Sequence, residues 1–177
     1  MSRKATAAPP RQKRLSHVGA DGAGRMVDVS GKAVTSREAV AAGRIWMSGG
    51  AARIAQAGGG KKGDPVQTAR LAGVMAAKRT AELIPMCHPL QLTHVDVEIA
   101  ARADGFEIVA RVRTNGPTGV EMEALTAAAV AALTLYDMIK GVDKTMEIGG
   151  LQLLEKRGGR SGEVKAEPSS PARRRPR

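Results

Sequence analysis

Polar and apolar positions change period several times along this chain of 177 residues, and each change predicts an element. Met26-Val27-Asp28-Val29-Ser30 reads as a short extended piece. Thr35-Ser36-Arg37-Glu38 has the spacing of a capping box, in which a hydroxyl and a carboxylate satisfy free amides at a helix start. Gly43 closes the short helix so predicted, and Arg44 to Ser48 reads as a strand. Asp64-Pro65 sets an N-cap before a proline at the first helical position. From Pro65 to Glu82, Leu71, Val74, Lys78 and Ala81 recur at helical spacing, so a lysine lies on the apolar stripe. Leu92 to Ala101 alternates, with Val95, Val97 and Ile99 on one face, and Asp104-Gly105 turns the chain. Phe106, Ile108, Ala110 and Val112 then alternate again, which predicts a hairpin. After the loop 115–119, Thr118 and Glu121 form a second capping box at the start of a helix to about Lys140. Gly141 ends that helix, and a last strand runs from about Met146 to Leu154.

The element order β-α-β-β-α-β predicts an α+β, ferredoxin-like split-βαβ fold, an antiparallel sheet with helices packed on one face. Apolar residues make up 42% of the chain, yet it has one Trp, one Tyr and one Phe, so the core must be aliphatic. One cysteine excludes an internal disulfide and fits a reducing compartment. The basic N-terminus lacks an apolar stretch after it, and no run approaches the ~20 apolar residues of a membrane helix. These features predict a cytoplasmic protein with no membrane partner.

The net charge of +11 suggests nucleic acid until it is located. Residues 1–16 hold five basic and no acidic residues, and residues 157–177 hold seven basic and two acidic, which accounts for +10 of it. The reading is therefore a disordered basic tail over 1–16, one domain over 17–163, and a disordered Pro/Arg-rich tail over 164–177. The central part has no basic stripe and no aromatic platform for bases, so nucleic acid is not its expected partner.

Candidate chemistry falls in three clusters. Lys61-Lys62-Gly63-Asp64 follows three glycines at a helix start, a weak phosphate-cradling pattern that lacks the Walker order. Lys78 to His88 carries a cation, a thiol and an imidazole into a loop stiffened by Pro85 and Pro89. Cys87-His88 could contact a ligand or be a buried thiol beside a satisfied imidazole; with no second cysteine and no ligand spacing, no metal site is expected. On the last helix, Met122, Ala129, Leu133, Tyr136 and Lys140 share one side, with Asp137 three residues before Lys140. A lysine partly removed from water has a lowered pKa and can move protons near neutrality, whereas the same two residues could be a plain surface pair. Glu121 reads as a cap and Glu123 as a carboxylate without that duty.

Met26-Val-Asp-Val-Ser30, Lys62-Gly-Asp64, Ala76-Ala-Lys-Arg-Thr80, Leu83-Ile-Pro-Met-Cys-His-Pro-Leu90, Gly119-Val-Glu-Met-Glu-Ala-Leu-Thr126 and Leu135-Tyr-Asp-Met-Ile-Lys140 stand in the order of one family. Over roughly 15–163 the chain resembles the cyclic pyranopterin monophosphate synthases, the molybdenum cofactor biosynthesis protein C family. The resemblance implies a hexamer, a trimer of dimers, with sites at subunit interfaces. It implies conversion of 3′,8-cyclo-7,8-dihydro-GTP to cyclic pyranopterin monophosphate with release of pyrophosphate, and no cofactor beyond magnesium carried by the triphosphate. By motif, Asp137 and Lys140 resemble the acid/base pair and Lys62 a second essential lysine. Met86, Cys87 and His88 resemble the substrate-contacting loop, and Met122 with Glu123 its opposite wall. Asp28, Arg37, Lys78 and Glu121 are further matches. Where the family pattern often has a histidine before Lys-Gly-Asp, this chain has Lys61.

Overall fold

The computed structural model describes residues 22–58, 63–159 and 162–166. Its first strand, β1, spans Thr35–Trp46, followed by α1 (Gly49–Ala57), α2 (Pro65–Lys78), the single turn α3 (Thr80–Leu83), β2 (Leu92–Arg102), β3 (Gly105–Gly116), α4 (Glu121–Ile139), β4 (Glu147–Arg157) and β5 (Val164–Lys165). The strands form one antiparallel sheet in the order β2-β3-β1-β4-β5. Two crossovers each skip a strand: β1 reaches β2 across β3, and β3 reaches β4 across β1. That is the split-βαβ, ferredoxin-like topology.

One predicted helix is corrected to strand. Thr35 to Gly43 forms the first part of β1, which pairs β3 along its whole length and β4 from Glu38 to Trp46. A strand between two partners pairs most of its backbone amides in the ladders, and Ala39, Ala41 and Ile45 alternate into the core. Those gains outweigh a capping motif, which favours a helix only where amides would otherwise be free. The true helix start lies later: Ser48 accepts the Ala51 amide and opens α1, a helix the periodicity did not predict. Asp64 caps α2 as expected, accepting from the Val66 and Gln67 amides. The helix drawn to Glu82 breaks at Arg79 into α2 and α3. The second capping box is also absent, because α4 begins at Val120 with no side-chain cap. Val164–Lys165, placed in the C-terminal tail by sequence, pair with β4; the tails proper lie outside the described residues.

Helices α2 and α4 pack together on one sheet face. Ala124, Ala127, Ala128, Ala131, Ala132, Leu135 and Ile139 form the buried side of α4 against Phe106, Ile108, Ala110 and Val112 of β3. The small side chains let the helices approach closely: a Cβ at Gly73 of α2 would lie 2.9 Å from the Ala127 carbonyl oxygen. Over 18 residues α4 reaches a mean hydropathy of 1.4, nearer to a membrane segment than the sequence reading allowed. Half of that window is buried within the fold, as suits a core helix. The other sheet face carries Arg44 paired with Asp104 and Glu107, and Glu38 paired with Arg111 and Arg113. Arg44 also stacks on Trp46, 5.3 Å from the ring centre.

Candidate active site

The stripes on which Lys78 and Lys140 were placed lie at the margin of the core, with Val74 and Tyr136 partly buried and both lysines exposed. The core sides of α2 and α4 are mostly alanine positions, with Gly73 in α2 and Leu135 and Ile139 in α4, while Leu71 and Leu133 are about 60% exposed. Lys140 Nζ lies 2.6 Å from Asp137 Oδ1, and both side chains are over half exposed. The Lys140 pKa is raised, first by this hydrogen bond and then by the Asp137 charge, rather than lowered as the stripe suggested. Little desolvation opposes the carboxylate, so the ammonium form is favoured. A cavity of ≈ 860 Å³ opens beside the pair, lined by Ile54, Pro65, Tyr136, Val142 and Lys144 as well.

Asp143 fixes that end of the helix, a role the sequence reading missed. Its Oδ2 accepts the Ser48 amide at 2.8 Å, and its Oδ1 accepts the Thr145 amide and hydroxyl at 2.8 and 2.7 Å. The turn after α4 is thereby tied to the start of α1, and the carboxyl pKa falls to about 2 because of these bonds, the Ser48 amide first. The Asp-x-Thr spacing was the available signal, a local side-chain turn.

The other candidates gather at the opposite end of α4. Met86, Cys87, His88, Met122, Glu123 and Glu121 line a cavity of ≈ 390 Å³, together with Val27, Val29 and Lys32 from the N-terminal segment. His88 Nε2 lies 2.9 Å from the Val27 carbonyl oxygen, so that nitrogen is the N–H donor and Nδ1 is left for a ligand. Neighbouring Asp28 holds a local turn, its Oδ1 accepting from the Ser30 amide and hydroxyl, with its pKa lowered chiefly by the amide. The Cys87 thiol is pushed up, first by burial and then by Glu123, which makes it a poor nucleophile. Glu123 is 4% exposed, and burial raises its pKa to about 7, with the Glu121 charge adding to the effect.

Two further candidates are committed within the fold. Arg37 donates from Nε to the Gly116 carbonyl at 2.8 Å and from a terminal nitrogen to Pro117 at 3.0 Å, holding the loop before α4. Glu121 pairs with Lys156 of β4 at 2.8 Å, and a Cβ on Gly119 would fall 1.9 Å from its Oε2. A side chain at that position would push the carboxylate aside. Lys156 and Lys32, which no motif singled out, thus join the site through strand and arm placement. Lys78 lines a neighbouring cavity with His88 and Glu123. Lys62 lies outside the described residues. Among the described residues no group of three or more His, Cys, Asp or Glu side chains could hold a metal ion.

One distance organises the whole. Residues 122 and 137 stand on one straight helix, so at 1.5 Å per residue the two clusters are about 20 Å apart. The structure brings together the loop and its opposite wall, and it separates both from the Asp137–Lys140 pair.

The same residues are matched by a family model described as MoaC, over residues 26–159. The chain belongs to the MoaC family. It is 56% identical over 159 residues to the cyclic pyranopterin monophosphate synthase of Chloroflexus aggregans, covering 89% of this chain and 96% of the relative. The synthase of Methylobacterium sp. strain 4-46 is 57% identical over 157 residues, 88% of this chain and 98% of the relative. That of Streptomyces avermitilis is 51% identical over 162 residues, 92% and 95% respectively. The chain is accordingly an enzyme of molybdenum cofactor biosynthesis, of the lyase class.

Proposed function

We propose that this enzyme converts 3′,8-cyclo-7,8-dihydro-GTP into cyclic pyranopterin monophosphate and releases pyrophosphate. The observation that carries the reading is the division of the matched motifs between two solvent-open cavities at the two ends of α4. A substrate with a fused ring at one end and a triphosphate at the other needs two kinds of wall. Met86, Cys87, His88, Met122 and Glu123 contact the ring system, with Glu121, Lys156, Lys78, Asp28 and Lys32 around them and Arg37 holding their loop. Asp137 and Lys140 form the acid/base pair, with Lys62 reaching the triphosphate or the ring.

The chemistry follows from these groups. Rearranging the ring moves protons at nitrogen and carbon, for which a carboxylate beside an ammonium supplies both an acceptor and a donor. Closing the cyclic phosphate requires a ribose-derived hydroxyl to attack the α-phosphorus while pyrophosphate departs, and lysines balance the charge that develops. No cofactor is assigned beyond magnesium carried by the triphosphate.

Because about 20 Å separates the clusters in one chain, a second copy completes the site, with Asp137 and Lys140 of one subunit facing the loop of its neighbour. The proposed assembly is a homohexamer, a trimer of dimers, in the cytoplasm. Incubation of the purified protein with the cyclo-dihydro-GTP intermediate tests the reading: pyrophosphate and the cyclic pterin should form together. Lys140→Ala should abolish both, and normal turnover by that variant would remove Lys140 from the mechanism.

A further inference from the structure

Glu123 lines two cavities. The first is the ≈ 390 Å³ pocket assigned to the substrate ring. The second, of ≈ 350 Å³, is lined by Ala77, Lys78, Ala81, Glu82 and Gln91, among others. His88, Leu90 and Glu123 belong to both linings, so the imidazole and the carboxyl form the partition between them. Lys78, Arg79 and Glu82 are exposed at the second cavity, whereas Thr80 beside them is buried and spends its hydroxyl on the Ala76 and Ala77 carbonyls. A space of this size, lined by polar and apolar groups alike, takes on the order of ten waters. A ligand in the first pocket would leave Glu123 still bordering the second.

We propose that the second cavity is a proton outlet: Glu123 accepts a proton from the substrate in the first pocket and releases it to water in the second. The inference rests on the functional reading above, in which ring rearrangement supplies the proton. In the first step an N–H or C–H bond of the substrate breaks, its electron pair stays on the substrate, and an O–H bond forms on Glu123. In the second step that O–H bond breaks, the proton passes to water and bulk buffer, and the carboxylate is restored. Nothing is oxidised or reduced.

The surroundings suit a group that changes charge in each cycle. Glu123 lies in the first turn of α4, hydrogen-bonded to its own amide, and among the described residues no cation forms an ion pair with it. On the pocket side the charged and titratable groups are Glu121 with its partner Lys156, Cys87, His88 and Lys32. Facing the outlet are Lys78, Arg79 and Glu82. His88 keeps its Nε2 hydrogen on the Val27 carbonyl, so any proton it took would go to Nδ1.

The test is to plug the outlet without touching the substrate pocket. Ala81→Leu and Gln91→Phe each fill the second cavity, and Gln91 is exposed, so the second variant keeps the fold if the first does not. With the cyclo-dihydro-GTP intermediate, both should keep KM within about twofold and lose about tenfold or more in kcat, with a larger solvent deuterium isotope effect. Ala81→Ser, which leaves the cavity open, should match the wild type. Wild-type kcat in a folded plugged variant overturns the inference alone. A wild-type protein that does not turn the intermediate over removes the functional reading and this inference with it.

Discussion

A carboxyl group that is 4% exposed and titrates at about 7 weakens the fold whenever it is ionised. Its folded pKa lies above the ordinary carboxyl value of 4.5, so its contribution to stability is full below about pH 4.5 and is lost as pH rises to about 7. Glu123→Gln should therefore raise unfolding stability at pH 8 by about 2 kcal/mol and change nothing at pH 4. The same variant should lose roughly a hundredfold or more in turnover. Urea unfolding at the two pH values checks the first effect. A variant no more stable at pH 8 would show that the carboxyl is solvated. Asp143 behaves in the opposite sense. Its folded pKa is depressed to about 2, so its stabilisation is present above about pH 4 and is lost as pH falls through 2. Asp143→Ala should cost about 2 kcal/mol at neutral pH, read from thermal unfolding, and flatten the acid limb of the stability curve.

At the scale of elements, the hairpin was legible because β2 and β3 alternate and pair with their neighbour in the chain, and α2, α4 and the last strand because local spacing and turn residues mark them. Thr35 to Gly43 was not, because its identity as strand depends on β3 and β4, which lie far along the sequence. The alanines of α4 gave no sign of which side was buried, so the stripe through Leu133 looked like a core face. The candidate site residues stand in motifs and Asp143 in a local Asp-x-Thr turn, whereas Lys156 and Lys32 come to the candidate site through tertiary placement. Close helix packing is itself open to test. Gly73→Ala sets a methyl group 2.9 Å from the Ala127 carbonyl oxygen and 3.2 Å from Val97, which forces α2 from α4. The expected loss is about 1–3 kcal/mol in urea unfolding. An unchanged midpoint would mean that the helices move apart freely.

For the whole molecule, the decisive quantity is the about 20 Å between the ends of α4. If each site takes Asp137 and Lys140 from one copy and His88 from another, two inactive proteins can repair each other. Lys140→Ala and His88→Ala, unfolded together and refolded at equal amounts, should recover roughly a quarter of wild-type turnover, since random pairing leaves one intact site in four. No recovery in correctly assembled mixtures would confine the site to one chain. The sheet face opposite the helices offers a separate view of assembly. It bears Trp46, the chain's one indole, held beneath Arg44, and a Cβ at Gly149 would lie 3.0 Å from its ring edge. The protein thus carries a built-in fluorophore at a known address. Its emission colour reports whether subunits meet through the strands or through the helices, with no dye and no added label.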